Sequence, residues 1–178
     1  MYCSKFESSY SNVIHGTESD DFITGIHNNE LIFGYGGDDH ISVSNGCIYA
    51  GDGNDFITTR NYGSVIFAGE GNDTVYELHG DSRVYGETGD DYLFVGTGHD
   101  LVYGGDGNDV IQASHYNKNT LYGDAGDDKI NPSNNDVVYG GDGNDHIWAH
   151  DGTGVSVQGG AGYDICAFRN MFEVYECS

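Results

Sequence analysis

The chain has 178 residues, with 29 glycines and one proline, and its 29 acidic residues outnumber 6 lysines and arginines to give a net charge of −23. A single proline excludes collagen-like and proline-rich chains, and the negative charge argues against nucleic acid as a partner, because phosphate binding needs positive charge. A compact chain of this charge repels itself, so metal cations are the expected partners.

Residues 1–15 precede the regular part of the sequence, and we predict that they form an N-terminal cap. The stretch MYCSKFESSYSNVIHG lacks the basic start and long apolar run of a secretory signal peptide. No stretch of the chain approaches the roughly 20 apolar residues of a membrane helix. We therefore expect no membrane span and identify no N-terminal signal peptide.

From residue 16 onward the sequence is built of repeats that recur at intervals of about 18 residues. Each unit follows the pattern small–x–x–Gly–x–Asp–x–aliphatic, and the nine units begin at Gly16, Gly34, Ala50, Ala68, Gly86, Gly104, Gly123, Gly140 and Gly159. The sixth position is aspartate in every unit, at Asp21, Asp39, Asp55, Asp73, Asp91, Asp109, Asp128, Asp145 and Asp164. The Gly-Asn and Gly-Asp pairs before this aspartate favour a tight turn.

Each unit is predicted to form a turn, a strand, a second turn and a second strand, with one inward side chain from each strand. The eighth position supplies the first set of inward residues, Ile23, Ile41, Ile57, Val75, Leu93, Ile111, Ile130, Ile147 and Cys166. The second half of the units supplies Ile32, Ile48, Ile66, Val84, Val102, Leu121, Val138 and Val157. Coils stacked through parallel strands lie about 4.8 Å apart, so the sixth-position aspartates would form a column along one edge.

This column of aspartates points to a divalent cation. Carboxylates about 5 Å apart raise one another's pKa and oppose folding. Calcium is the best fit, because it takes 6–8 oxygen ligands, including carboxylates and backbone carbonyls, in a flexible geometry. Magnesium demands stricter octahedral geometry, and zinc and copper prefer histidine or cysteine, which the turns do not supply regularly.

The repeat resembles the RTX (repeats-in-toxin) family of calcium-binding nonapeptides, GGxGxDx-aliphatic-x. Residues 104–112 and 140–148 fit every position of that pattern, and the resemblance extends over residues 16–167. It implies an all-β, right-handed parallel β-roll, a β-solenoid of about nine coils, with calcium between successive turns. It also implies that the aspartate column and turn carbonyls are the ligands, the latter from Gly34, Gly36, Gly51, Gly53, Gly69, Gly71, Gly104, Gly105, Asp106, Gly107, Gly140, Gly141, Asp142 and Gly143.

The alternate turns depart from the family pattern, in which both turns of each coil bind calcium. Among them, residues 95–103 retain Gly98 and Asp100 in register, and Asn29–Glu30 is a partial echo. We therefore predict one main row of ions, with Asp100 as a further candidate ligand. Nine turns leave eight gaps; about eight ions would add sixteen charges and bring the net charge from −23 to about −7. The weakest sites are expected at the first and last turns.

Aromatic residues repeat once per coil beside the second set of inward residues, at Phe33, Tyr49, Phe67, Tyr85, Tyr103, Tyr122 and Tyr139. They flank inward positions and therefore point outward. One interpretation is a stacked ladder that stabilises the roll; the other is a face for a polysaccharide, a partner protein or a second copy. The third turn position shows no threonine column, which argues against ice binding.

No catalytic motif is found, so we predict that the chain is not an enzyme. Residues 168–178 are predicted to form a C-terminal cap strand. Two disulfides are possible among Cys3, Cys47, Cys166 and Cys177; Cys166 and Cys177 are one candidate pair, with a free, buried Cys166 as the alternative. The leading hypothesis is a secreted structural or binding module that folds when it meets extracellular calcium, and the alternative is an adhesion module that uses the aromatic face.

Overall fold

A computed structural model describes residue 3 and residues 9–114, 118–149, 153–168 and 175–177. This part of the chain contains no helix that is long and apolar enough to cross a membrane. The described residues form 19 strands: β1 (Asn12–His15), β2 (Phe22–Thr24), β3 (Glu30–Gly36), β4 (His40–Val43), β5 (Gly46–Asp52), β6 (Phe56–Thr59), β7 (Val65–Glu70), β8 (Thr74–His79), β9 (Arg83–Thr88), β10 (Tyr92–Thr97), β11 (Leu101–Asp106), β12 (Val110–Ala113), β13 (Thr120–Ala125), β14 (Lys129–Asn131), β15 (Val137–Asp142), β16 (His146–Ala149), β17 (Ser156–Ala161), β18 (Ile165–Phe168) and β19 (Tyr175–Glu176).

The strands form two sheets that face each other. In the described residues, the odd-numbered strands from β1 to β17 make a nine-stranded sheet, and the even-numbered strands with β19 make a ten-stranded sheet. Apart from β19, strands that are neighbours in a sheet come from successive coils and run parallel, as β11 does with β9 and β13. The chain is therefore a parallel β-solenoid whose coils follow the period of the sequence repeat, which confirms the predicted fold.

The register between coils places like residues on like residues. Val102 pairs with Val84 on one side and with Leu121 on the other. The side chains between the sheets are the predicted aliphatic residues, and most of them are 0% exposed, as for Ile48, Leu93 and Ile111. Because the side chains of a strand alternate between faces, one inward residue per strand suffices to fill this thin core.

Both ends of the solenoid are tied by disulfides. Cys3 is bonded to Cys47, with their Cα atoms 5.7 Å apart, and Cys166 is bonded to Cys177, with their Cα atoms 5.8 Å apart. At the N-terminal end, β1 lies within the segment predicted as a cap and pairs with β3. At the C-terminal end, β19 pairs antiparallel with β18, and so departs from the parallel pattern.

Candidate metal centre

The first edge of the solenoid consists of the turns that lead from each odd-numbered strand to the next even-numbered strand. At the end of β11 and in the turn after it, Gly105 and Gly107 have φ values of 117° and 139°, which side-chain-bearing residues rarely adopt. A Cβ atom on Gly107 would lie 2.0 Å from the carbonyl oxygen of Gly89 in the preceding coil. Glycine at this position therefore permits both the backbone conformation and the close stacking of turns.

The nine sixth-position aspartates form the predicted column along this edge, which we call the aspartate column. In the eight members from Asp39 to Asp164, one carboxylate oxygen, Oδ1, accepts the backbone N–H of the aspartate one coil earlier, as in the 2.7 Å bond from Asp73 N–H to Asp91 Oδ1. The chain of such bonds is unbroken from Asp21 to Asp164. The backbone thus holds these eight carboxylates in one orientation.

The second oxygen, Oδ2, has no hydrogen-bond partner within the described residues in seven members of the column: Asp39, Asp55, Asp73, Asp91, Asp109, Asp128 and Asp145. These residues are at most 2% exposed. Oδ2 points towards the first residue of its own turn: a Cβ atom on Gly104 would lie 2.2 Å from Asp109 Oδ2. A buried carboxylate oxygen without a partner is costly, so the column fits a row of cations held at the turn backbone.

Burial is the main cause of raised pKa values in the column. It raises the pKa of Asp73 and Asp128 to about 8, that of Asp91 to about 7 and that of Asp55 to about 6. The backbone N–H bond to each carboxylate opposes this shift, and neighbouring carboxylates reinforce it. Without a cation, a substantial part of the column therefore carries protons near neutral pH.

We expect the calcium-free chain to be more stable at about pH 4 than at pH 8. Carboxyl groups whose pKa is raised by folding favour the folded state below their unfolded pKa of 3.8, and this contribution is lost as the pH rises through about 6 to 8. The β-sheet circular dichroism signal of the chain in EDTA, recorded from pH 4 to pH 8, measures this loss of stability. In a variant carrying Asp73→Asn, Asp91→Asn and Asp128→Asn, the signal should depend less on pH; an unchanged pH dependence would assign it to net charge alone.

The backbone must supply many of the ligands of any ion held here. Among the described residues, no three histidine, cysteine, aspartate or glutamate side chains converge as a side-chain metal site requires. The carbonyls of Asp106 and Asp142, two of the predicted ligands, accept the N–H groups of Gly89 and Gly126 from the preceding coils. A carbonyl oxygen has two lone pairs, so each of these keeps one for an ion.

The first turn differs from those that follow. Asp21 Oδ2 accepts the backbone N–H of Thr17 at 2.6 Å and the Thr17 hydroxyl at 2.9 Å. The corresponding oxygens of the interior coils have no such partner in the described chain. An ion at the first turn would compete with these two hydrogen bonds.

A second row of hydrogen bonds between coils lies beside the aspartate column, at the surface. It consists of the fifth-position residues, and its bonds run in the opposite direction along the stack: Asn108 N–H donates to Asp90 Oδ1 at 2.7 Å. Asp90 is exposed, whereas its neighbour Asp91 is 2% exposed. Two adjacent acids of one turn therefore have opposite environments.

The second edge, formed by the alternate turns, holds a column of which the sequence prediction named only Asp100. Its members lie two residues before an inward aliphatic residue, at Ser64, Ser82, Asp100, Asn119 and Asp136, and all are at most 2% exposed. Each accepts a backbone N–H from the preceding coil; Asp100 Oδ1, for example, accepts that of Ser82 at 2.8 Å. Serine and asparagine thus replace aspartate as neutral acceptors. Their constant distance from the aliphatic residue was the available signal.

Comparison with known protein families agrees with this geometry. The profile described as RTX calcium-binding nonapeptide repeat (4 copies) matches residues 8–41, 49–76, 80–113, 117–132 and 133–155. The chain belongs to the RTX calcium-binding repeat family. Calcium binding follows from this membership. A search of curated proteins finds no match.

The seven once-per-coil aromatic residues of this RTX roll form a stack on the outer face of the nine-stranded sheet. The rings of Tyr49 and Phe67 lie 4.8 Å apart at 3°, and those of Tyr122 and Tyr139 lie 4.7 Å apart at 6°. The stack continues from Phe33 to Tyr139, and every ring is half-buried. Each interior ring has its faces covered by its neighbours, which leaves its edge for other contacts.

Proposed function

We propose that this RTX chain is a calcium-dependent structural or binding module that acts outside the cell and completes its folding when it binds calcium. The observation that carries the proposal is the run of seven buried aspartates whose Oδ2 atoms have no hydrogen-bond partner in the described chain. A metal that binds only the folded state stabilises it by mass action. Ions between successive turns would also offset a net charge of −23.

The proposed ligands are the carboxylates of the aspartate column together with the first- to fourth-position carbonyls of the turns. The donor set consists of oxygens alone, which suits calcium. About eight ions are expected, one for each gap between the nine turns. The ion nearest Asp21 should be the weakest, because Thr17 already binds the Oδ2 atom of that residue.

The two disulfides support a location outside the cell. Disulfides persist in oxidising compartments and are rare in the reducing cytosol. Calcium modules that bind in the 10⁻⁴–10⁻³ M range are typical of extracellular proteins. Rolls of this family are generally structural, and we assign no catalytic role to the chain.

Counting the bound ions tests the calcium row. Native mass spectrometry of the full chain in millimolar calcium should show about eight ions per chain, filled cooperatively as coils order one another. Magnesium at the same concentration should give far fewer, because it dehydrates reluctantly and demands octahedral geometry. A chain that binds at most two calcium ions while keeping its β-sheet signal would contradict the proposal.

The alternative is a partner-binding role for the aromatic stack that runs from Phe33 to Tyr139. Its unbroken row of half-exposed ring edges favours this role. Stacking of sugar rings on aromatic faces is left only the Tyr139 end of the stack, since the interior rings cover one another and His15 stacks on Phe33. Replacing Tyr85 and Tyr103 with alanine separates the two roles. A structural ladder predicts a loss of about 1 kcal/mol or more per ring, from the lost aromatic pairs, and unchanged glycan-array binding. Loss of glycan binding with intact stability would favour the alternative.

A further inference from the structure

The last turn of the aspartate column has no further coil beyond it. The ninth repeat unit begins at Gly159, and residues 168–178 contain no tenth unit. Asp164 is nevertheless placed like the members before it: it is 1% exposed, and its Oδ1 atom accepts the N–H of Asp145 at 3.0 Å. The groups on the far side of this turn therefore decide whether it can hold an ion.

The interior turns show what a following coil contributes. A Cβ atom on Gly140 would collide with two oxygens, Asp145 Oδ2 of its own turn and the carbonyl oxygen of Gly159 in the next turn. The same pair of a carboxylate and a carbonyl oxygen meets at the first position of the turns that begin at Gly34, Gly86, Gly104 and Gly123. Both oxygens are of the kind that binds calcium, so the next coil supplies a candidate ligand to each of these turns.

Cys177 places the same kind of oxygen at the last turn. A Cβ atom on Gly159 would collide with Asp164 Oδ2 and with the carbonyl oxygen of Cys177. The N–H of Cys177 also donates to the Asp164 carbonyl at 3.4 Å, as the N–H of Ile165 donates to the Asp145 carbonyl at 2.8 Å. One residue from outside the repeat thus replaces two backbone groups of a tenth coil.

The C-terminal disulfide fixes this placement. Cys166, an inward residue of β18, is 0% exposed and is bonded to Cys177. The strand before Cys177, β19, has two residues, and so short a pairing is a weak anchor. In the chain-entropy model, a disulfide that closes a loop with a sequence separation of 11 restrains that loop by about 100-fold.

We propose that the Cys166–Cys177 disulfide is a redox switch on the calcium row, an inference that rests on the proposed function. When closed, the disulfide holds the Cys177 carbonyl where a following coil would place its own, and the last turn binds one ion between Asp164 and Cys177. When the disulfide is reduced, the carbonyl is released and this ion binds about 100-fold more weakly. The repeat pattern contains no cysteine, so the switch belongs to this chain and not to the repeat.

A thiol reductant such as glutathione opens the switch. A glutathione thiolate attacks the sulfur of Cys177, which is half-buried; the Sγ–Sγ bond breaks, and Cys166 leaves as a thiolate that takes up a proton. A second glutathione then displaces the first, which yields the Cys177 thiol and glutathione disulfide. Oxidising compartments outside the cytosol favour the closed form.

Native mass spectrometry of the full chain, with calcium as the probe, tests the switch. Replacing the pair, Cys166→Val with Cys177→Ala, should remove one bound ion at the lowest calcium concentration that fills the wild type. The matched control, Cys3→Ala with Cys47→Val, should bind the wild-type number. It opens the longer loop, with a separation of 44 against 11, so a general loss of stability would lower its count more. Loss of an ion in both variants, or in neither, would overturn the proposal.

Reduced glutathione added to the control variant tests the redox step, because Cys166–Cys177 is then the one disulfide that the sequence allows. One ion should be lost, and glutathione disulfide should restore it; an unchanged count after complete reduction would overturn the switch.

A crystal structure of the oxidised wild type grown in calcium keeps the test decisive if a variant does not fold. It should show an ion within about 2.6 Å of the Cys177 carbonyl oxygen and of an Asp164 carboxylate oxygen. Ions between the earlier turns with none at Asp164 would overturn the switch alone. The lack of an ion at every turn would remove the calcium row as well.

Discussion

Removal of calcium with EDTA at pH 7.5 is expected to abolish most of the β-sheet circular dichroism signal, and millimolar calcium is expected to restore it. One ion at 100 times its dissociation constant stabilises the folded state by about 2.7 kcal/mol. Seven such ions, one for each free Oδ2 of the described column, would contribute on the order of 20 kcal/mol. This exceeds the 5–15 kcal/mol stability of typical proteins, so the calcium-free fold should not persist.

The control for this experiment is magnesium chloride at matched ionic strength, which screens the net charge of −23 equally well. Recovery of the signal in magnesium would mean that charge screening is sufficient. Equal β-sheet content in EDTA and in calcium would show that the roll folds without ions and would remove the calcium-driven part of the proposed function.

Asp91→Asn is expected to have opposite effects on stability in calcium and in EDTA. The asparagine oxygen can still accept the N–H of Asp73, but the charged Oδ2 is lost. In calcium, the variant should lose affinity for the ions on either side, at a cost of about 3–5 kcal/mol if one or two ions leave. In EDTA at pH 8, it should retain more β-sheet circular dichroism signal than the wild type, because it no longer buries an ionised group whose pKa is raised to about 7.

Asp90→Asn is the matched control for this prediction. It removes the same charge from the adjacent residue of the same turn, and its side-chain oxygen can still accept the N–H of Asn108. Because Asp90 is exposed, its replacement should change stability by less than about 0.5 kcal/mol in calcium. The comparison is made by urea unfolding in calcium and by the residual β-sheet circular dichroism signal in EDTA. If Asp91→Asn and Asp90→Asn behave alike in calcium, the buried column does not hold the ions.

The fold of this RTX chain could be predicted because its period is regular and its inward positions are simple. A single aliphatic residue per strand, recurring once in each half of every repeat unit, leaves few ways to bury apolar area other than stacking coils. The buried positions of Ile48, Leu93 and Ile111 match that prediction. The pairing of the cysteines could not be predicted, because four cysteines allow several pairings and their spacing in the sequence does not report their distance in the fold.

The aspartate column could be predicted as a set of residues but not in its geometry. The sequence indicates that nine aspartates share an edge, and it predicts that they repel one another. It does not reveal that in eight of them Oδ1 accepts a backbone N–H from one coil earlier, as Asp91 does from Asp73. That bond leaves Oδ2 as the free atom. Whether the bond can form depends on how far one turn is offset from the next.

The sequence by itself determined the period, the all-β solenoid, the family and the acidic edge, because each of these depends on a pattern that recurs along the chain. Only the tertiary structure decided which carboxylate oxygens are free, how the aromatic rings stack, and that the buried Glu77 accepts the N–H of Gly96 in the next coil. The physical reason is that these features depend on contacts between coils. Glu77, which lies outside the repeat pattern, is an example: its hydrogen-bond donor, the N–H of Gly96, comes from the next coil of the stack.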